Sequence, residues 1–76
     1  MRQNYIVRIH RGTCSMESRH RCADEFGARA AAWRRALRLA RAGDASAGYI
    51  TRGRNAYRDC NIVSAALETP PTGDTE

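Results

Sequence analysis

The sequence predicts an α+β fold: a two-layer sandwich in the order β-β-α-β-β, with one helix packed on an antiparallel sheet. Three observations carry this prediction. Residues 24–43, DEFGARAAAWRRALRLARAG, repeat apolar side chains at helical spacing. Residues 5–10, YIVRIH, and 14–22, CSMESRHRC, alternate with a period of two, and turn-forming residues divide the rest into short segments. A sheet that buries one face needs a second layer, which the amphipathic helix supplies.

In the first strand Tyr5, Val7 and Ile9 share one face and Arg8 and His10 the other, an alternation broken only by Ile6. Arg11-Gly12-Thr13 reads as a turn. The second strand then sets Met16, Ser18, His20 and Cys22 against Glu17, Arg19 and Arg21, completing a hairpin. In the helix, Phe26, Ala30, Trp33, Leu37 and Ala40 recur at spacings of four and three. At about 100° per residue they form one apolar stripe, so Trp33 is expected to be buried at the helix–sheet contact. Asp24 is placed to cap the free N–H groups, Glu25 suits the positive first turn, and Gly43 can take the left-handed conformation that ends a helix.

After Gly43 the segment Asp44-Ala45-Ser46-Ala47-Gly48 reads as a loop. Tyr49-Ile50-Thr51 reads as a third strand, Arg52-Gly53-Arg54-Asn55 as a turn, and residues 56–63 as a fourth strand. The faces of this last strand conflict, with Cys60 and Ile62 on one side and Tyr57 and Val63 on the other, which points to a bulge or to burial on both sides. Ser64 to Leu67 either extends the strand or turns into a short helix. A competing reading makes residues 49–60 a second helix in a helix-turn-helix; Gly53 and the β-favouring Tyr49-Ile50-Thr51 oppose it. Two prolines in Thr69-Pro70-Pro71-Thr72-Gly73 end the fold. The expected organisation is one small basic domain over 1–67 and a disordered acidic tail over 68–76.

Seventy-six residues bury only about 60% of the surface of the unfolded chain, so the core is thin and a homodimer or a larger partner could complete it. All thirteen basic residues are arginine. Codon bias in a GC-rich genome accounts for this usage, and arginine forks also suit phosphates and carboxylates. Through Leu67 the chain is more basic than its overall +5, because Glu68, Asp74 and Glu76 follow. There is no run of about eighteen apolar residues and no apolar stretch of a signal peptide at the start, so the expectation is a cytoplasmic chain with no membrane segment.

His10, Cys14, His20, Cys22 and Cys60 are the soft-ligand candidates, but their H-x3-C-x5-H-x-C spacing lacks the close ligand pairs of structural zinc sites. Buried thiols acting as small apolar groups are the expectation, with zinc binding and a Cys14–Cys22 disulfide the minor alternatives. No nucleophile–base set, Schiff-base lysine or glycine-rich phosphate loop is present, so the chain is read as a non-enzyme without metal or cofactor.

The arginines carry the functional reading. Arg34, Arg38 and Arg41 lie together on one flank of the helix with no acid three or four residues away, whereas Arg29 has Glu25. Arg35 falls on the helix back. A second cluster, Arg52, Arg54 and Arg58, has Tyr49 and Tyr57 beside it, a mixture that suits anionic partners. The alternative is a solvated basic face with the tyrosines in the core. Together the clusters favour an anionic partner, either a larger protein or nucleoprotein complex or, as the second reading, a nucleic acid bound by the chain alone.

A chain that opens with a strand like Tyr5-Ile6-Val7-Arg8-Ile9, continues with a polar strand and an Ala-rich helix, and ends in a basic hairpin from Tyr49 to Ile62 resembles some small phage-encoded anti-CRISPR inhibitors. The resemblance is one of architecture, spans about residues 4–63 and carries over no specific residue. It implies a non-catalytic inhibitor in the bacterial host's cytoplasm that binds a CRISPR effector's subunits and blocks recognition of target DNA.

Overall fold

The computed structural model describes residues 1–68. Strand β1 (Gln3–Arg11) and strand β2 (Cys14–Cys22) form the expected hairpin, and helix α1 (Glu25–Arg41) follows. Two short helices, α2 (Ala45–Thr51) and α3 (Ala56–Asp59), lead to the last strand, β3 (Asn61–Leu67). The sheet is antiparallel throughout in the order β2-β1-β3. This is the predicted α+β sandwich of helix on antiparallel sheet, with its second half built differently.

The hairpin is set by register and by one glycine. Arg11 pairs with Cys14, so Gly12 and Thr13 alone make the connection, and Gly12 has φ +60 at the first central position, where such turns need positive φ. Cross-strand pairs Tyr5↔His20, Val7↔Ser18 and Ile9↔Met16 share the face under the helices, and Arg8↔Glu17 and Ile6↔Arg19 share the other. Val7 and Ile9 are buried while Met16, Ser18, His20 and Cys22 are half-buried, so the alternation in both strands lies in the predicted phase.

The second half corrects the sequence reading at three segments. Ala45 to Gly48, read as loop, are the start of helix α2. Tyr49-Ile50-Thr51 is the end of helix α2 and not a strand. Asp44 caps α2 by accepting the Ala47 N–H at 3.0 Å, and the β-branched Thr51 is accommodated because its hydroxyl donates to the Ala47 carbonyl at 3.0 Å. Residues 56–59 form a helical turn, and the strand begins only at Asn61. Ser64 to Leu67 do extend that strand. The register with β1 shifts between Arg8, which pairs with Ser64, and Ile9, which pairs with Ile62, so the expected irregularity is a bulge. Glu68, where the tail was expected to begin, donates its N–H to the Asn4 carbonyl at 2.8 Å and pairs with Arg19 at 2.6 Å. The rest of the expected tail, residues 69–76, lies outside the described residues.

Helix α1 has the predicted ends. Asp24 accepts the Gly27 N–H at 2.8 Å, and Gly43 takes φ +95 just beyond the helix. Its buried face is not the predicted one. Ala28, Ala32 and Ala36 lie against the sheet, with Phe26 83% exposed, Leu37 exposed and Trp33 half-buried. The buried line is rotated by about 120° from the centre of the predicted stripe. Alanines at every fourth position let the helix axis approach the sheet closely, and Val7, Ile9 and Ile50 fill the space that larger helix side chains would have needed. Trp33 packs on the edge of this cluster, and its ring meets Tyr57 edge-on with centroids 4.9 Å apart.

Candidate interaction surface

Each arginine of the two predicted clusters, Arg34, Arg38 and Arg41 on α1 and Arg52, Arg54 and Arg58 around α3, is exposed. The Trp33–Tyr57 contact sets α3 beside α1, and an arginine, Arg34 or Arg58, directly follows each of the two rings in the chain. Tyr57 is 61% exposed and Tyr49 38% exposed, so Tyr57 belongs to the surface far more than to the core.

The carboxylates explain why these arginines stand apart. Glu17 pairs with Arg8, Glu25 with Arg29, Asp59 with Arg11 and Glu68 with Arg19. Asp24 and Asp44 are spent on the helix caps. Every acid among the described residues therefore has a partner, and among those residues Arg34, Arg35, Arg38, Arg41, Arg52, Arg54 and Arg58 make no ion pair, nor do Arg2 and Arg21. Among the described residues, no carboxylate compensates the positive charge of these arginines.

The rotation of α1 changes membership of the first cluster. With the alanines turned toward the sheet, Arg34 and Arg41 point away from it, and Arg35, which the sequence put on the back, swings toward β2. There it acts on His20. Burial lowers the His20 pKa, and the nearby positive charges of Arg35, then Arg34 and Arg38, lower it further. His20 also shares a 2.7 Å hydrogen bond between its Nε2 and the Ser18 hydroxyl. Arg35 was missed because its place on the surface depends on which stripe is buried, and the periodicity of large side chains named the wrong stripe.

Arg11, read as part of a turn, is a structural clamp. Its Nη1 donates to the carbonyls of Tyr49 at 2.8 Å and Arg52 at 2.7 Å, and its Nη2 reaches Asp59 Oδ2 at 3.2 Å. The Tyr49 carbonyl also accepts the Arg52 N–H at 3.4 Å, and the guanidinium adds a second donor there, so it caps the end of α2 and ties it to α3. No local pattern could have announced this, since the partners lie 38 to 48 residues away.

The soft-ligand candidates do not converge. His10 is on the open face of the sheet, whereas Cys14, His20 and Cys22 are on the helix-facing side of β2. Cys14 and Cys22 sit at opposite ends of a nine-residue strand, roughly 26 Å apart at 3.3 Å per residue, too far for a disulfide. All three cysteines are free thiols. Cys60 donates to the Ile50 carbonyl at 3.2 Å, and burial raises its pKa, which keeps it a thiol rather than a nucleophilic thiolate. Among the described residues no group of His, Cys, Asp and Glu is placed to hold a metal ion, and no helix is long and apolar enough to cross a membrane.

Comparison with known proteins finds no family, no curated protein and no solved structure that matches this chain.

Proposed function

We propose that this chain is a non-catalytic binding protein whose arginine-rich surface engages a larger protein or nucleoprotein partner, acting as an inhibitor of the phage-encoded anti-CRISPR kind it resembles. The observation that carries the reading is the division among the arginines. Arg8, Arg11, Arg19 and Arg29 have carboxylate partners, while every arginine from Arg34 through Arg58, together with Arg2 and Arg21, has none among the described residues. Arg34 and Arg38, one helical turn apart on the same helix, repel each other at a cost of a few tenths of a kcal/mol. A surface that keeps such a pair without a counter-charge is suited to receive its counter-charges from outside.

Pull-down from a bacterial lysate with the intact protein as bait, with and without nuclease, tests the reading. Retention of the same protein partner after nuclease, and its loss when Arg34, Arg38, Arg41, Arg52, Arg54 and Arg58 are replaced by Ala, is the expected result. Recovery of no protein partner, together with tight binding of bare duplex DNA or RNA at physiological salt, would replace it with a nucleic-acid binder that acts alone.

A further inference from the structure

Strand β2 ends the sheet, and its outer edge carries backbone groups that no strand among the described residues pairs. The Asn4 carbonyl accepts the Glu68 N–H, so it points away from β2, and Arg21, opposite Asn4, points its own N–H and C=O away from β1. Alternation then turns the backbone groups of Ser15, Glu17, Arg19 and Arg21 toward the open edge. The pairing of β2 with β1 runs unbroken from Cys14 to Cys22, so no bulge twists this edge away, whereas the β1–β3 register shifts between Arg8 and Ile9. We propose that β2 pairs antiparallel with β2 of a second copy of this chain, centred on Ser18, which joins the two sheets into one. The inference does not rest on the proposed function.

The side chains select both that occupant and that register. With Ser18 on the two-fold axis, Glu17 of each copy stands opposite Arg19 of the other, Ser15 opposite Arg21, Met16 opposite His20, and Cys14 opposite Cys22. Opposite charges therefore face each other on both sides of the axis, on the open face of the sheet. There Glu17 already pairs with Arg8 and Arg19 with Glu68, so each new contact joins two ion pairs into a row of alternating sign. Centring on Glu17 or Arg19 would set like charges against each other, and centring on His20 would set Arg19 against Arg21. Ser18 is also the midpoint of Cys14–Cys22, so this register pairs the strand along its whole length. The Arg21 carbonyl, which accepts from the Arg2 guanidinium at 3.4 Å, keeps a second lone pair for the Ser15 N–H of the other copy. The arginines of α1 do not oppose the contact. Arg35, Arg34 and Arg38 act on His20, which stands two residues from the axis. At about 3.3 Å per residue the two groups are centred about 13 Å apart along the strands, beyond the Debye length of about 8 Å at physiological salt. An axis normal to the sheet keeps both α1 helices on one face, so the dimer presents the exposed arginines of both copies to the same side.

Sedimentation equilibrium of the intact protein in reducing buffer should show a dimer, weakened about tenfold or more by Glu17→Arg or by Arg19→Glu. An equal mixture of the two variants should recover the parent's affinity as a heterodimer, because each Arg then meets a Glu. Loss of the in-chain partners Arg8 and Glu68 cannot produce that recovery, so a weakened fold is told apart from a broken interface. Cysteine trapping reads the register. Cys14 and the Cys22 opposite it occupy a non-hydrogen-bonded pair, with Cα atoms about 4.5 Å apart, a span that a disulfide bridges. In a Cys60→Ser background, diamide should link the copies, its N=N bond taking up the two electrons and two protons that a thiol pair gives in forming S–S. Cys14→Ser or Cys22→Ser alone should abolish the link, and a mixture of the two should restore it. A monomer at about 0.1 mM, a dimer indifferent to the charge reversals, a mixture that does not recover, or a link formed by either serine variant alone would each overturn the inference. So would a monomeric parent whose capture of a lysate protein is lost on Glu17→Arg, which would give the edge to a foreign strand. The substitutions that test the proposed function, from Arg34 to Arg58, leave β2 unchanged, so either reading can fail while the other stands.

Discussion

The guanidinium of Arg11 lies 5.4 Å from the centroid of the Tyr49 ring and donates to the Tyr49 carbonyl at 2.8 Å, so the end of the first strand holds the end of the second helix. Gly12 makes room for this contact. A Cβ there would stand 2.8 Å from the Tyr49 hydroxyl.

Replacing Arg11 with Ala should cost about 2–3 kcal/mol, because charge-assisted hydrogen bonds contribute about 1.5–3 kcal/mol and the Tyr49 and Arg52 carbonyls and Asp59 lose the guanidinium. Arg11→Lys should recover only part of this, since a point charge cannot reach two carbonyls and Asp59 as a planar fork does. Urea unfolding followed by circular dichroism would show a lower midpoint at unchanged slope. An Arg11→Ala midpoint equal to that of the parent would contradict the clamp.

The close contact of α1 with the sheet predicts an inverted pattern of core sensitivity. Ala28→Leu or Ala36→Leu should destabilise by about 1–3 kcal/mol through overpacking, since both alanines are fully buried. Phe26→Ala, which a buried stripe would make costly by about 3–5 kcal/mol, should fall within ±0.5 kcal/mol. Thermal unfolding of the three variants side by side checks both halves of the statement.

These contrasts mark what was legible in the sequence. Period-two alternation is unambiguous when each strand has one charged face, as Arg8, Glu17, Arg19 and Arg21 provide, and the hairpin followed directly. Helix α1 was legible in extent from Asp24 and Gly43, but its orientation was not. Phe26, Trp33 and Leu37 set the phase of the wheel, and here close approach to the sheet makes Ala28, Ala32 and Ala36 the buried residues. The second half misled through Tyr49-Ile50-Thr51, where β propensity outweighed a start signal that was present: Asp44 followed by Ala-Ser-Ala is an N-cap at the head of a helix. Gly53 did mark a real break, since helix lies on both sides of it. The exposure of Arg34, Arg38 and Arg41 was legible from their missing i,i+4 partners. Arg11 and Arg35 were not, because their roles come from residues far away in the chain and from the phase of α1.

His20 gives the fold a pH dependence of definite sign. Its folded pKa is depressed by burial and then by Arg35, Arg34 and Arg38, whereas the unfolded chain has the ordinary value of about 6.5. The unfolded state therefore binds the proton more readily. The contribution is fully present above about 6.5, is lost as pH falls from there toward the lowered folded pKa, and is exhausted below it. Titration of the His20 ring protons by NMR should give a midpoint below the ordinary value, and Arg35→Gln should move it upward without restoring it fully, since burial is the larger cause. A midpoint above 6.5 in the parent would remove the basis for placing Arg35 over β2.

The arginines themselves should separate binding from stability. Replacing Arg34, Arg38 and Arg41 with Ala should change unfolding free energy by no more than about 0.5 kcal/mol per site, or raise it slightly by removing the Arg34/Arg38 repulsion, because none has a partner to lose among the described residues. Affinity for the captured partner should fall in the same variant, and the form of the fall identifies the counter-charge. With DNA phosphates, each lost contact removes about 0.9 from the slope of log K against log salt, and the arginines act nearly interchangeably. With carboxylates on a protein the salt dependence is shallower and single residues dominate, so Arg34 and Arg58, which follow the two edge-on rings, should each matter more than Arg41 or Arg54. Single-site affinities measured at two salt concentrations would decide between these outcomes, and equal affinity across all of the variants would leave the arginine surface without a role in binding.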